Sequence, residues 1–159
     1  MGPAALAVDL SDETGKLTTN DQTELADLLR RAGAELDASG EIRLRVVDDA
    51  VMSNLHGRHS GIPGTTDVLT FDLRPMGLGP LDTDIVVCWD EAVRQASVRG
   101  HSPQRELLLY GLHGILHCLG HDDHDELAYA RMHAAEDAVL TAIGVGPVFA
   151  KPAAEGGAS

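Results

Sequence analysis

A chain of 159 residues, 43% hydrophobic and 23% charged, is long enough to bury the core of one soluble domain without disulfides. No apolar run approaches the length of a membrane span, and residues 1–10 lack the basic start and long apolar core of a signal peptide, so a cytoplasmic protein with no membrane partner is expected. The formal net charge of −13 repels phosphate backbones at long range, so a polyanion would have to be met by a local positive site such as a metal ion.

Residues 4–9 form a short apolar run that suits a first or edge strand. A polar stretch follows, then a helix with Asn20 or Asp21 as cap and Glu24 placed for a capping box. Leu25, Leu28, Leu29, Ala32 and Leu36 give that helix one apolar stripe, and Ser39 and Gly40 end it. Residues 41–47 alternate charged and apolar side chains, the pattern of a half-buried strand. Asp48 or Asp49 caps a short helix over 50–56, and the turn-rich segment 58–65 reads as an exposed loop. Residues 67–73 form another strand, with Val68, Thr70 and Asp72 opposite Leu69, Phe71 and Leu73. After a second loop, 84–89 is a continuous apolar run that suits a central strand buried on both faces. A helix over 90–98 closes at Gly100. Cys88 and Cys118 sit in apolar contexts and read as free buried thiols.

The densest chemistry lies in residues 107–125, LLLYGLHGILHCLGHDDHD. Ser102 and Pro103 start a helix, Leu108, Leu112, Ile115, Leu116 and Leu119 line its apolar face, and Gly120 stops it. His113 and His117 are four apart and stack one turn above the other. Two imidazoles so placed reach one cation together, and a residue past the Gly120 turn folds back as a third ligand. This is the layout of a zinc site with three protein ligands and one open position. The spacing is that of the metalloprotease signature, but the general-base glutamate that follows its first histidine is replaced by Gly114. A metal fits, and protease chemistry does not follow. A last helix over 125–143 carries Met132, Ala135, Val139, Ala142 and Ile143 at helical spacing, and from Gly144 the chain has little to bury and reads as a disordered tail.

The stretch His113-Gly114-Ile115-Leu116-His117, then Leu119-Gly120 and Asp122, resembles the signature of the bacterial YbeY endoribonucleases. Asn54 and Arg58, four apart before a loop, are similar to that family's Asn and Arg. Thr66-Asp67-Val68-Leu69-Thr70-Phe71 resembles its Thr-Asp-Val-Leu-Ser-Phe strand, and Asp84-Ile85-Val86 its Gly-Asp-Ile-Val segment. The resemblance spans residues 42 to about 143. It implies a metal-dependent endoribonuclease specific for single-stranded RNA, acting in ribosomal RNA maturation and ribosome quality control, with ribosomal RNA and the small ribosomal subunit as partners. One Zn2+ per chain is expected as cofactor, and Arg58 as the cleft arginine that holds the phosphate.

Three positions depart from the pattern. The family's third metal histidine falls at position 123, where this chain has Asp123. A carboxylate oxygen is a competent zinc ligand, so His113, His117 and Asp123 are the expected set. The alternative gives Asp123 to the cap of the next helix and the metal to His121 or His124. The loop between Arg58 and Thr66 is two residues longer than usual, and Thr83 stands for a glycine. The expected architecture is an α+β domain over 1–143, with about four strands in a mixed sheet, four to five helices, the metal at the end of a central helix, and a tail from 144 to 159. The rival functions are a metallopeptidase-like hydrolase and a non-catalytic ribosome-binding protein with a structural metal.

Overall fold

The computed structural model describes residues 5–149. They form four strands, β1 (Leu6–Asp12), β2 (Gly40–Val47), β3 (Val68–Asp72) and β4 (Leu81–Cys88), and five helices, α1 (Thr19–Glu35), α2 (Asp49–Ser60), α3 (Trp89–Arg99), α4 (Pro103–Cys118) and α5 (Glu126–Ala142). The strands make one mixed sheet in the order β1-β2-β4-β3, with β1, β2 and β4 parallel and β3 antiparallel on the outer side of β4. This is the expected α+β class. Interior parallel strands read as unbroken apolar sequence, and Ile85, Val86, Val87 and Cys88 of β4 are all buried. The edge strand β1 alternates instead, with Ala7, Asp9 and Ser11 exposed.

The two faces of the sheet are covered unequally. On one, α1, α4 and α5 close the main core around Leu29, Ile42, Leu44, Ile85, Leu112 and Leu140. On the other, α2 covers a small cluster of Val47, Met52, Leu69, Val86 and Cys88. Beyond α2 that second face carries ion pairs: Arg43 with Glu41, Asp82 and Asp84, and Arg45 with Glu13.

The central element is α4. Every residue from Glu106 to Leu116 is buried except His113, the mark of a helix packed on all sides. Two glycines allow the close fit. A Cβ on Gly111 would lie 3.0 Å from Leu29, and one on Gly114 would lie 2.9 Å from both Thr70 Oγ1 and Ile85 Cδ1. α4 therefore rests directly on β3 and β4, and that contact fixes the directions in which His113 and His117 project.

Several boundaries differ from the sequence expectations. Thr18, not Asn20 or Asp21, caps α1, and Asp21 rather than Glu24 completes the capping box. The Thr18 hydroxyl accepts from the Asp21 amide and the Asp21 carboxylate accepts from the Thr18 amide, the two halves of the box. Helix α2 runs through Gly57 to Ser60 and ends at Gly61, whose φ is 74°; Arg58 is thus on its last turn and not in a loop. β4 starts at Leu81, and Trp89 opens α3. From Gly144 the chain stays on the domain as far as Phe149. Val145, Val148 and Phe149 pack against the core, Arg105 donates to the carbonyls of Val145, Gly146 and Pro147, and Asp137 accepts from the amides of Val148 and Phe149. Residues 150–159 of the expected tail lie outside the described residues. No helix among the described residues is long and apolar enough to cross a membrane.

Candidate active site

Ser102 caps α4, accepting from the Arg105 amide, with Pro103 in the first turn. The helix ends at Cys118, and Gly120, at φ 101°, turns the chain back. His113 and His117 are one turn apart but differently set. His113 is 26% exposed; its Nδ1 donates to Oε2 of the buried Glu136 at 3.1 Å, and its Nε2 lies 3.8 Å from Oδ2 of Asp123. Burial opposes charging this ring, but the Glu136 hydrogen bond and the charges of Glu136, Asp67 and Asp123 outweigh it and raise the pKa. His117 is exposed, close enough to Asp72 to help hold that carboxyl down.

Asp123 is exposed and is not the cap of the last helix. That role falls to Asp125, which accepts from the Ala128 amide at 2.7 Å. The carboxylate of Asp123 is thereby left facing His113. His121 is half-buried and His124 exposed, and neither ring makes a hydrogen bond or ion pair among the described residues. Among the described residues His117 does not join His113 and Asp123 with all three donor atoms within 4.8 Å of one another. The chemistry of the set still fits a divalent transition metal: an imidazole whose Nδ1 is tied to a buried carboxylate, an exposed imidazole one turn on, and an exposed carboxylate facing the first ring.

The trio that does converge within 4.8 Å is Asp49, Cys88 and Asp90, on the α2 side of the sheet. It offers a possible place for a cation, although Asp49 already holds Arg94 at 2.8 and 2.7 Å. Cys88 donates to Asp49 at 3.3 Å, and burial pushes its thiol pKa up. Nothing in the sequence spacing marks this group, because Asp49 meets the other two only through the pairing of β2 with β4.

A hollow of about 180 Å³ opens beside His113, lined among others by Asp67, Arg99, Tyr110, Asp123, His133 and Glu136. Loss of solvent pushes the Asp67 carboxyl up, and His113 pulls it partly back. A larger hollow of about 510 Å³ lies elsewhere, between α1 and the start of α4, and holds none of the expected site residues. Arg58 does not line the hollow at His113. It is exposed on the last turn of α2 and makes no ion pair among the described residues; the next residue, His59, packs edge-on against Phe71 of β3 at 4.8 Å between ring centroids.

Two residues that shape the site escaped the sequence reading. Glu136 interrupts the apolar stripe of α5 between Met132 and Val139, which is the one sequence signal it gives. Arg74 sits in a loop with none. Its side chain is only 7% exposed, is paired with Asp72, and donates to the carbonyls of Gly79 and, at 2.6 Å, Cys118 at the end of α4. A cation there complements the helix dipole and joins the histidine helix to the β3–β4 loop. Arg74→Ala is expected to cost about 1–3 kcal/mol by stranding these acceptors. The Arg74 hydrogen bonds hold the Asp72 carboxyl below its ordinary 3.8, so this contribution is complete above that pH and fades as pH falls through the lower folded value. Urea unfolding from neutral to acid pH measures it; equal midpoints for variant and wild type at neutral pH would refute it.

Comparison with known proteins identifies the family. Residues 8–144 match the family model described as Endoribonuclease YbeY. A protein of that name from Acidothermus cellulolyticus is 35% identical over 151 residues, covering 86% of this chain and 91% of its own. One from Mycobacterium ulcerans is 34% identical over 147 residues, covering 85% and 82%. The solution structure of a Thermotoga maritima protein superposes with a TM-score of 0.58 over 85% of this chain and 90% of that one, at 22% identity, a likeness of fold. With the family model matched over residues 8–144 and relatives at about 34–35% identity over most of both chains, the chain belongs to the Endoribonuclease YbeY family.

Proposed function

We propose that the chain is a metal-dependent endoribonuclease that cleaves single-stranded RNA and acts in ribosomal RNA maturation and ribosome quality control, with the small ribosomal subunit as partner and the cytoplasm as its place of work. The supporting observation is the setting of His113, whose Nδ1 is taken by Glu136 and whose Nε2 faces Asp123 across 3.8 Å. His113, His117 and Asp123 are the proposed ligands of one Zn2+ per chain. When bound, the ion supplies a Lewis acid for a phosphoryl oxygen and lowers the pKa of water. Arg58 is the proposed phosphate clamp, its guanidinium offering two parallel donors to the non-bridging oxygens.

The peptidase alternative lacks its base, since position 114 is a glycine with Thr70 and Ile85 packed where a side chain would start. A ribosome-binding role without catalysis is separated by assay: an enzyme cuts a single-stranded RNA and a binder retains it intact. For the third ligand the test is metal content. Asp123→Ala is expected to lose most of its zinc, and His121→Ala and His124→Ala to keep it. Retention by Asp123→Ala with loss by His124→Ala would transfer the role to His124. Asp123→His restores a neutral third ligand, and the resulting more positive centre is expected to shift the pH–activity profile towards acid.

A further inference from the structure

Glu136 is a buried carboxylate that the ligand set leaves unused. It stands on α5, 1% exposed, with its two oxygens divided between two histidines. Oε2 accepts from Nδ1 of His113 at 3.1 Å, and Oε1 accepts from Nδ1 of His133 at 2.7 Å. The His133 ring is fixed in turn, stacked on Phe149 at 3.6 Å and met edge-on by Tyr129 at 4.1 Å. A buried carboxylate needs donors for both oxygens. His133 satisfies one from behind, which leaves the other aimed at His113. The other acids facing His113 do so only through their charge: Asp67 across the hollow, and Asp123 at 3.8 Å, beyond hydrogen-bond reach.

We propose that Glu136 is the positioning residue of the site: held by His133, it fixes His113 with the proton on Nδ1 and the lone pair on Nε2, so that Nε2 is the nitrogen presented to a divalent transition metal. The inference rests on the reading of His113 as a ligand. A neutral imidazole has one donor and one acceptor nitrogen, and committing the donor to a carboxylate settles both the tautomer and the ring orientation. The device also ties the metal helix α4 to α5, so the ligand is oriented by an element that supplies no ligand itself.

The test uses the full chain, Zn2+ competition against a chromophoric chelator, and ¹⁵N NMR of the histidine rings. In the metal-free wild type, at a pH where the rings are neutral, His113 is expected as the Nδ1–H tautomer. Glu136→Gln keeps the shape but offers one acceptor to two donors; zinc affinity is expected to fall about ten- to a hundredfold, with the far-ultraviolet circular dichroism retained and the His113 ring divided between tautomers. Should the glutamine variant fail to fold, Glu136→Asp and the wild-type tautomer carry the test. An Nε2–H tautomer in the wild type, or wild-type zinc affinity in a folded Glu136→Gln, overturns the proposal. His117→Ala, measured alongside, tells the two levels apart: if it loses zinc while Glu136→Gln keeps it, the positioning role alone fails, and if it too keeps zinc, the ligand reading fails.

Discussion

His117→Ala is expected to empty the metal site at almost no cost to the fold, whereas His113→Ala empties it and destabilises the domain. The difference follows from where each ring sits. His117 is exposed at the end of α4, so truncating it removes the proposed ligand and little packing. His113 donates to Glu136, and its loss leaves one oxygen of a fully buried carboxylate without a partner. Such a deletion costs about 1–3 kcal/mol, or roughly 2–4 °C per kcal/mol in the melting temperature of a domain this size. Both variants are to be compared metal-free, since bound metal stabilises by mass action. Elemental analysis then gives metal per chain, and thermal unfolding of the apo proteins gives the second quantity. Full metal occupancy in His117→Ala would remove the site as proposed; equal apo stabilities for the two variants would remove the role given to Glu136.

For Arg58→Glu the expected result is loss of RNA cleavage with an unchanged melting temperature. The side chain is exposed and makes no ion pair among the described residues, and surface substitutions of this kind stay within about 0.5 kcal/mol of wild type. Reversing its charge replaces an attraction to phosphate by a repulsion. Transition-state contacts of this type are worth about 10²–10³ in rate. Cleavage of a single-stranded RNA by the variant at the wild-type rate would show that the arginine, which stands outside the hollow at His113, has no part in the reaction.

The elements that carry the site were the most legible part of the sequence. α4 announced itself through Ser102 and Pro103 at its start, leucines at helical spacing and Gly120 after its end, and β4 through an unbroken apolar run. These are local signals, and they position His113 and His117 without knowledge of the fold. The end of α2 was not legible, because Gly57 reads as a breaker and is tolerated inside the helix, the true stop being Gly61. What surrounds the histidines was hidden for another reason. Glu136 reaches His113 across 23 positions, and Arg74 reaches the Cys118 carbonyl across 44. Contacts at that separation exist only once the helices are docked. The packed segment Gly144–Phe149 was missed likewise, since Arg105 and Asp137, which hold it, look like ordinary surface charges in the sequence.

Seven of the chain's arginines are committed within the fold, which bears on how this acidic chain meets a polyanion. Arg43, Arg45, Arg74 and Arg94 are spent on carboxylates, Arg99 on Glu106, and Arg31 and Arg105 on backbone carbonyls. Each neutralised phosphate of a single strand releases counterions and steepens the fall of log affinity against log salt by about 0.7. With so many guanidiniums committed internally, an RNA bound at the proposed site is expected to have few of its phosphates neutralised, and its affinity to fall only shallowly with salt.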